Sequence, residues 1–474
     1  MAEELQPEIC VIGGGPGGIA LSVAAANQGL PVVLIERDRV GGANLGTGSV
    51  PTKALLAAAN LHESLRRGPA FGVTGAPLQV NLAGVQEHVQ SAVEAAAANM
   101  SRQRIEAYGV RVIAGEARFV DRRTVVAGDI TVRARTFVVA TGSAPIRPNH
   151  AGLDGIDTVD LAGVLDAARK PAHLIVLGVG PRVLELAQGF NRLGIDTSVI
   201  GQGPLLPDED SELVAPILAQ LRAEGIGIRE RAGIMGFARR KGGVRVTVRD
   251  DGEETAVDGS HLLLLPERGP DVAGLDLEAA GIAHGPSGIT VDRRLRTTNK
   301  RVFAIGDVVA GPASANRAEH HAAVVLAAIA RGRGAVAPEA GVPFAIFTDP
   351  GLARVGLSET EARVRHRTVR VLRVPLADND RAQIEREPQG LVKVIASERG
   401  RILGVGIAAR DAAEMIALWS LAISAGLDIE ALRNLPAPYP SRAEIAHRVA
   451  IAFDGPGRAP IPRGGALAWL RRSG

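Results

Sequence analysis

The residue types able to do chemistry gather in a few short stretches. Gly13, Gly15 and Gly18 form a GxGxxG between the apolar run EICVI and an Ala-rich segment, and Glu36 closes the next apolar run. Glycines at this spacing tighten a turn and admit a pyrophosphate to a helix N-terminus, while the acid accepts hydrogen bonds from a ribose. The chemistry indicated is dinucleotide binding. The bland alternative, a turn that only packs a helix on a sheet, is the weaker one because the whole strand, turn, helix, strand and acid sequence is present. Close behind lies VGGANLGTGSVPTKALL, residues 40–56, where a reactive group is expected beside the nucleotide. The stretch holds no Cys, His, Asp or Glu, and its one ionisable side chain is Lys53.

A second stretch, HLIVLGVGPRVLELAQGFNRLGIDTSVIGQG, repeats the first pattern imperfectly. Gly178 and Gly180 are kept, but Val183 stands at the third glycine and Gly201 where an acid is expected. Val183 adds bulk where helix and strand should approach closely, and Gly201 offers a ribose no acceptor. No Arg stands at 201–206 to take a 2′-phosphate. Two readings stay open: a weakened nucleotide site, or a βαβ unit kept for structure.

The elements that must position these residues follow from hydrophobic patterning. The first stretch reads as a βαβ unit. A long polar helical region spans Gln86 to Tyr108; VRVIAGEARFVD, RTVVAGDITV and TFVVATGSAP then read as hairpins and a return to the first domain. After the second βαβ unit, GVRVTVRD, DGEETAVDG and HLLLLP read as hairpin strands, and RVFAIGDVVAG as a buried strand ending in an acid. From about Gly341 an α+β character begins, and the tail from Asp454 is rich in Pro, Gly and Arg. A chain of 474 residues has room for about three domains, and 46% hydrophobic with 22% charged residues is ordinary for a globular protein. A net charge of +3 is small for that length and does not point to nucleic acid. The opening MAEELQPEICVIGGG lacks a secretory pattern and the apolar runs are too short to span a bilayer, so a cytoplasmic protein without a membrane span is expected. The single cysteine, Cys10, lies in an apolar strand, which excludes an intrachain disulfide and a cysteine-rich metal site; no metal is expected.

In this order the pieces resemble the flavoprotein disulfide reductases, a family that includes dihydrolipoamide dehydrogenase, glutathione reductase, mercuric reductase and soluble transhydrogenase. The resemblance runs from about Pro7 to Phe453. It is carried by GGGPGG with Glu36, the GG…PTK loop, FVVATGSAP, ELAQGFNRLG, VFAIGDVVAG, FTDPGLARVGLSETEA and YPSRAE. It implies an α/β fold with two Rossmann-like domains, for FAD and NAD(P), and a C-terminal α+β domain that builds a homodimer. Boundaries follow at 1–150 for the first part of the FAD domain, 151–272 for the NAD(P)-like domain, 273–340 for the return to the FAD domain and 341–454 for dimerisation, with a tail at 455–474. Carried over by position, Gly13, Gly15, Pro16, Gly17, Gly18, Glu36, Gly42, Thr141, Gly142, Asp307 and Ala315 would hold FAD. Lys53 would lie beside the flavin ring and pair with Glu185, and Gly178 and Gly180 would face NAD(P).

The departures carry as much information as the matches. In the family the opening loop holds a redox-active CxxxxC. Aligned on Gly41, Gly42, Pro51 and Lys53, the cysteine positions are Asn44 and Ser49. An amide and an alcohol form neither a disulfide nor a thiolate, so electrons cannot pass from flavin to a dithiol. Near the end, Tyr439 stands where disulfide reductases have the His of their acid/base dyad, five residues before Glu444. A phenol, with an ordinary pKa of about 10, is a poor base at neutral pH. Glu267 occupies a glycine position in PERGPD, in a loop that the resemblance places at the nicotinamide. His320 and His321 point different ways on one helix and read as helix surface or interface. His447, one turn after Glu444, is within reach of it. The expectation is a homodimeric FAD-dependent oxidoreductase that takes electrons from NAD(P)H or another donor and gives them to a small-molecule or protein acceptor without dithiol chemistry, with Lys53, Glu185, Ser49, Asn44, Tyr439 and Glu444 around the reacting centre. The alternative is a redox-inactive dimeric scaffold that binds a partner, with or without FAD.

Overall fold

The computed structural model describes residues 3–454 apart from 77, 168, 251, 332–335 and 337–338; the Pro/Gly/Arg-rich tail lies outside the described residues. The chain divides into two compact units. The first takes in residues 1–208, 218–342 and 346–348, and the second takes in 209–217, 343–345 and the chain from 349 onward.

The first unit contains two parallel five-stranded sheets. One runs in the order Val302–Ala304, Thr136–Val139, Ile9–Ile12, Val32–Glu36, Arg111–Ala114. Its central strand ICVI is buried at every residue, as a parallel strand covered on both faces must be. Alternation divides it: Cys10 and Ile12 pack into one core with Phe119 and Phe137, and Ile9 and Val11 into another with Leu21 and Val325. The second sheet runs Thr158–Val159, His261–Leu265, His173–Gly178, Asp196–Ile200, Gly227–Arg229. HLLLLP is therefore no hairpin strand. His261–Leu265 pairs in parallel with His173–Gly178, and the antiparallel meander beside it is Gly233–Arg240, Gly243–Asp250 and Glu253–Gly259.

The second unit is built on antiparallel strands in the order Gly351–Gly356, Ile402–Ala409, Leu391–Ser397, Val369–Pro375. Helices Ala412–Ser424 and Ile445–Asp454 cover it, burying Trp419, Ile416 and Val449. Lys393, only 2% exposed, reaches Asp210, Glu212 and Glu359 at 2.6, 2.7 and 2.9 Å. Three carboxylates around one ammonium satisfy a charge that burial alone would not tolerate.

Candidate active site

The first glycine turn leaves its sheet at Ile12 and enters the helix Pro16–Asn27, with Pro16 in the first helical turn, where a missing N–H costs nothing. Two of its glycines are irreplaceable on steric grounds. Gly13 has φ +106° and a Cβ there would lie 2.4 Å from the Ala140 carbonyl oxygen; a Cβ on Gly18 would lie 2.0 Å from that of Gly13. Gly17 lets the helix Ala315–Arg331 approach, since its Cβ would meet the Ala318 carbonyl at 2.9 Å. Open space faces Gly15. Glu36, at the next strand end, accepts the N–H groups of Gly14 and Asp38 at 2.6 and 2.8 Å. Beside it a cavity of about 500 Å³ is lined by Glu36, Val40, Ala97, Met100 and Val112 among others. An acid for a ribose, apolar walls for a flat ring and an open turn for phosphates fit the adenosine half of an FAD.

The opening loop is fastened to that turn. Gly41 donates its N–H to the Gly14 carbonyl at 2.8 Å, and a Cβ on Gly42 would stand 3.2 Å from the Gly15 α-carbon. Asn44 sits half-buried in the short helix Ala43–Gly46, and Ser49 is the exposed first residue of the helix Ser49–Arg66. Thr47 and Gly48 both donate to the Ala43 carbonyl, and a Cβ on Gly48 would be 3.1 Å from the Asn44 α-carbon. The loop thus folds the segment just before Ser49 back onto Asn44. No thiol is there: the single cysteine, Cys10, is buried in its strand, and burial pushes its thiol pKa far up.

The helix Ser49–Arg66 then crosses the helix Pro181–Arg192, where Gly189 leaves room for Leu55, 3.2 Å from the place its Cβ would take. This crossing brings Lys53 to Glu185. The Nζ–Oε2 distance is 2.7 Å and Glu185 is 2% exposed. The other oxygen of Glu185 accepts the Phe347 N–H at 2.8 Å, and the Lys53 ammonium lies 4.6 Å from the centre of the Phe347 ring. Carboxylate and ring together fix the position of the ammonium.

Asp307 lies in the 3₁₀ turn Gly306–Val308, where Ser143 donates to its Oδ2 at 3.2 Å and Arg268 donates to Ser143 Oγ at 3.0 Å. The N–H of Gly306 goes to Nδ1 of His321 at 3.2 Å, and Nε2 of the same ring meets Glu339 at 2.7 Å. His321 has no exposed surface, which corrects its reading as helix surface or interface. Since Nδ1 accepts from Gly306, Nε2 is the atom that donates to Glu339. Glu339 also accepts from Arg317, and these partners, His321 first, hold its carboxyl down at about 2. Thr141 donates to the Asp271 carbonyl at 2.7 Å, Gly142 accepts the Asp271 N–H, and the Asp271 side chain pairs with Arg37 at 2.6 Å. Ala315 opens the helix that carries Arg317 and His321. Ser143, Asp271 and Phe347 lie in quoted stretches (FVVATGSAP, PERGPD and FTDPGLARVG) without having been singled out there, and Arg37, His321 and Glu339 join this neighbourhood with no motif to announce them.

In the second glycine turn Gly178 has φ +146°, and a Cβ on it would be 2.3 Å from the Leu265 carbonyl and 3.2 Å from Val183, which is fully buried. Glu267 is exposed, with its carbonyl accepting the Ile146 N–H at 2.8 Å. In the second unit Tyr439 is 74% exposed and donates its hydroxyl to Asp380 at 3.0 Å, a bond to a carboxylate that raises the phenol pKa further. Glu444 takes bonds from Asn379 at 3.2 Å and from Arg448 at 3.3 Å, so the partner one turn on is Arg448.

Comparison with known proteins joins these observations. The family model described as pyridine nucleotide-disulphide oxidoreductase matches residues 7–322, and that of its dimerisation domain matches 342–450. A dihydrolipoyl dehydrogenase of Geobacillus stearothermophilus is 32% identical over 454 residues, 94% of this chain and 96% of that protein. A mercuric reductase of Streptomyces lividans is 32% identical over 459 residues with the same coverage. Among solved structures, LpdA from Mycobacterium tuberculosis superposes with a TM-score of 0.84 at 27% identity, over 94% of this chain and 99% of that one. The HOCl-induced flavoprotein disulfide reductase RclA from Escherichia coli gives 0.79 at 25% identity with the same coverage. The expected fold class is borne out, and proteins of this family bind FAD and use NAD(P)H. With the disulfide-reductase architecture throughout, an adenosine-sized cavity beside Glu36 and a single cysteine away from the loop, the chain belongs to the pyridine nucleotide-disulphide oxidoreductase family as an FAD-dependent member without the redox-active cysteine pair.

Proposed function

We propose that the protein passes electrons from a reduced nicotinamide through FAD directly to an acceptor that is not a disulfide, and that it works as a homodimer. One observation carries the reading: the loop keeps its frame against the first glycine turn while Asn44 and Ser49 stand at both sulfur positions. Bound there, a flavin takes up an electron pair from a donor and gives it to an acceptor. The first turn, Glu36 and the turn around Asp307 would hold the cofactor. Lys53, held in place by Glu185 and Phe347, would present a positive charge to the edge of the bound ring. Asn44 and Ser49 would offer hydrogen bonds to an acceptor and no electrons. Tyr439, with its hydroxyl given to Asp380, is no base at neutral pH.

Anaerobic titration of the purified protein tests this. The expected result is bleaching after one reducing pair per flavin with no long-wavelength charge-transfer band. Uptake of a second pair with such a band overturns it, and a protein that neither contains nor binds FAD supports the scaffold reading instead.

A further inference from the structure

The two glycine turns share a plan and end differently. Open space faces Gly15 and Gly180 alike, so a phosphate has room at the start of both helices. The contrast lies at the end of the following strand, where a ribose is read. The first turn has Glu36 there and a cavity of about 500 Å³. The second has Gly201, and a Cβ on it would lie 2.7 Å from Leu205 Cδ2 and 3.3 Å from the Gly178 carbonyl oxygen.

Leu205 has no exposed surface. Its carbonyl accepts the Gly180 N–H at 2.8 Å, and its own N–H donates to Glu230 at 3.0 Å. The segment around it is stitched along its length: Gly201 donates to the Arg229 carbonyl at 2.9 Å, Ala232 to that of Gly201 at 2.9 Å, and Arg231 to that of Gly203 at 3.1 Å. An adenosine entering here would have to uncover a buried leucine held in a fastened segment, with no acid to receive its hydroxyls. What survives is suited to one phosphate. Gly180 leads into a helix of 12 residues whose second residue, Arg182, has a buried Nε without a partner.

We propose that the second turn has lost its adenosine seat to the chain's own Leu205 segment, and that the donor is recognised through its nicotinamide mononucleotide half alone. The inference rests on the reading above for the presence of flavin and for the nicotinamide as donor. In the flavin-loaded protein the first seat is taken, so added ADP-ribose reports on the second. By calorimetry ADP-ribose is expected not to bind below about 10 mM, and NADH, NADPH and reduced nicotinamide mononucleotide to bleach the flavin with half-saturation within about threefold of one another. Saturable micromolar binding of ADP-ribose, or a preference above about tenfold for NADH over the reduced mononucleotide, overturns the proposal. If none of the three bleaches the flavin, the donor assignment fails, while the ADP-ribose measurement still decides the seat. The double variant Gly201→Glu, Leu205→Ala, checked for retained flavin and an unchanged circular dichroism spectrum, is expected to bind ADP-ribose at least about tenfold more tightly than the parent. A folded double variant that gains nothing shows that Leu205 does not fill the seat and counts against the proposal.

Discussion

Lys53 and Glu185 make the most consequential side-chain pair. Removing the ammonium leaves a carboxylate that is 2% exposed, with the Phe347 N–H as its remaining hydrogen bond among the described residues. Lys53→Met is expected to cost about 2–4 kcal/mol in denaturant unfolding, and the double variant with Glu185→Gln to recover part of that loss. A double variant no more stable than Lys53→Met alone removes the coupling. The loop invites the reverse experiment. Asn44→Cys with Ser49→Cys places two thiols where the turn folds back on itself, and on exposure to dissolved oxygen, which takes up the two electrons and two protons, a disulfide is expected, seen as two fewer titratable thiols before reduction than after. Much of this residue-scale content is legible in the sequence. Gly18 closes on Gly13 five positions away, Gly13 and Glu36 sit at fixed places in a recognisable glycine pattern, and Asn44 and Ser49 are fixed by the flanking Gly41, Gly42, Pro51 and Lys53. Arg37 with Asp271, and Ser143 with Arg268, are choices of partner made over more than a hundred residues, which only the packed sheet decides.

Between elements, the turn carrying Asp307 depends on the helix behind it. His321 is its link, accepting the Gly306 N–H at Nδ1 and donating its Nε2–H to Glu339. His321→Leu leaves the buried Gly306 N–H without its acceptor and takes one donor from Glu339, and is expected to lower stability by about 1–3 kcal/mol and to loosen FAD, read as free flavin after ultrafiltration. Retention equal to the parent would show that the link does not matter for the cofactor. Glu339 adds a pH dependence. Its folded pKa, about 2, is below the ordinary 4.5, so its contribution is complete above about 4.5 and is lost as pH falls toward 2. Arg317→Gln, which removes one source of that depression, is expected to shift flavin release to higher pH in an acid titration. The sequence misleads here for a physical reason: two adjacent histidines on a helix signal opposite faces, and nothing local says that one of those faces is sealed. HLLLLP misleads similarly, because a central parallel strand is apolar on both sides and shows no alternation.

At the scale of the whole chain, the sequence order of two βαβ stretches followed by an α+β region transfers directly to two parallel sheets and an antiparallel one. The second unit keeps an ionic core that patterning does not announce. Lys393→Met leaves Asp210, Glu212 and Glu359 facing one another and is expected to cost about 3–5 kcal/mol, seen as an earlier unfolding transition in urea. A parental midpoint would mean that the carboxylates relax into solvent. Glu212, held at about 2 mainly by Arg373 and then Lys393, makes this unit lose stability as pH drops from about 4.5 toward 2. Finally, Cys10 gives the molecule a clock. It is the only thiol in 474 residues, it has no exposed surface, and it sits in the middle strand of a sheet covered on both sides. An alkylating reagent can reach it only when that strand opens, so the rate at which the protein gains a single mass label reads the opening of its innermost layer directly, with no engineered probe.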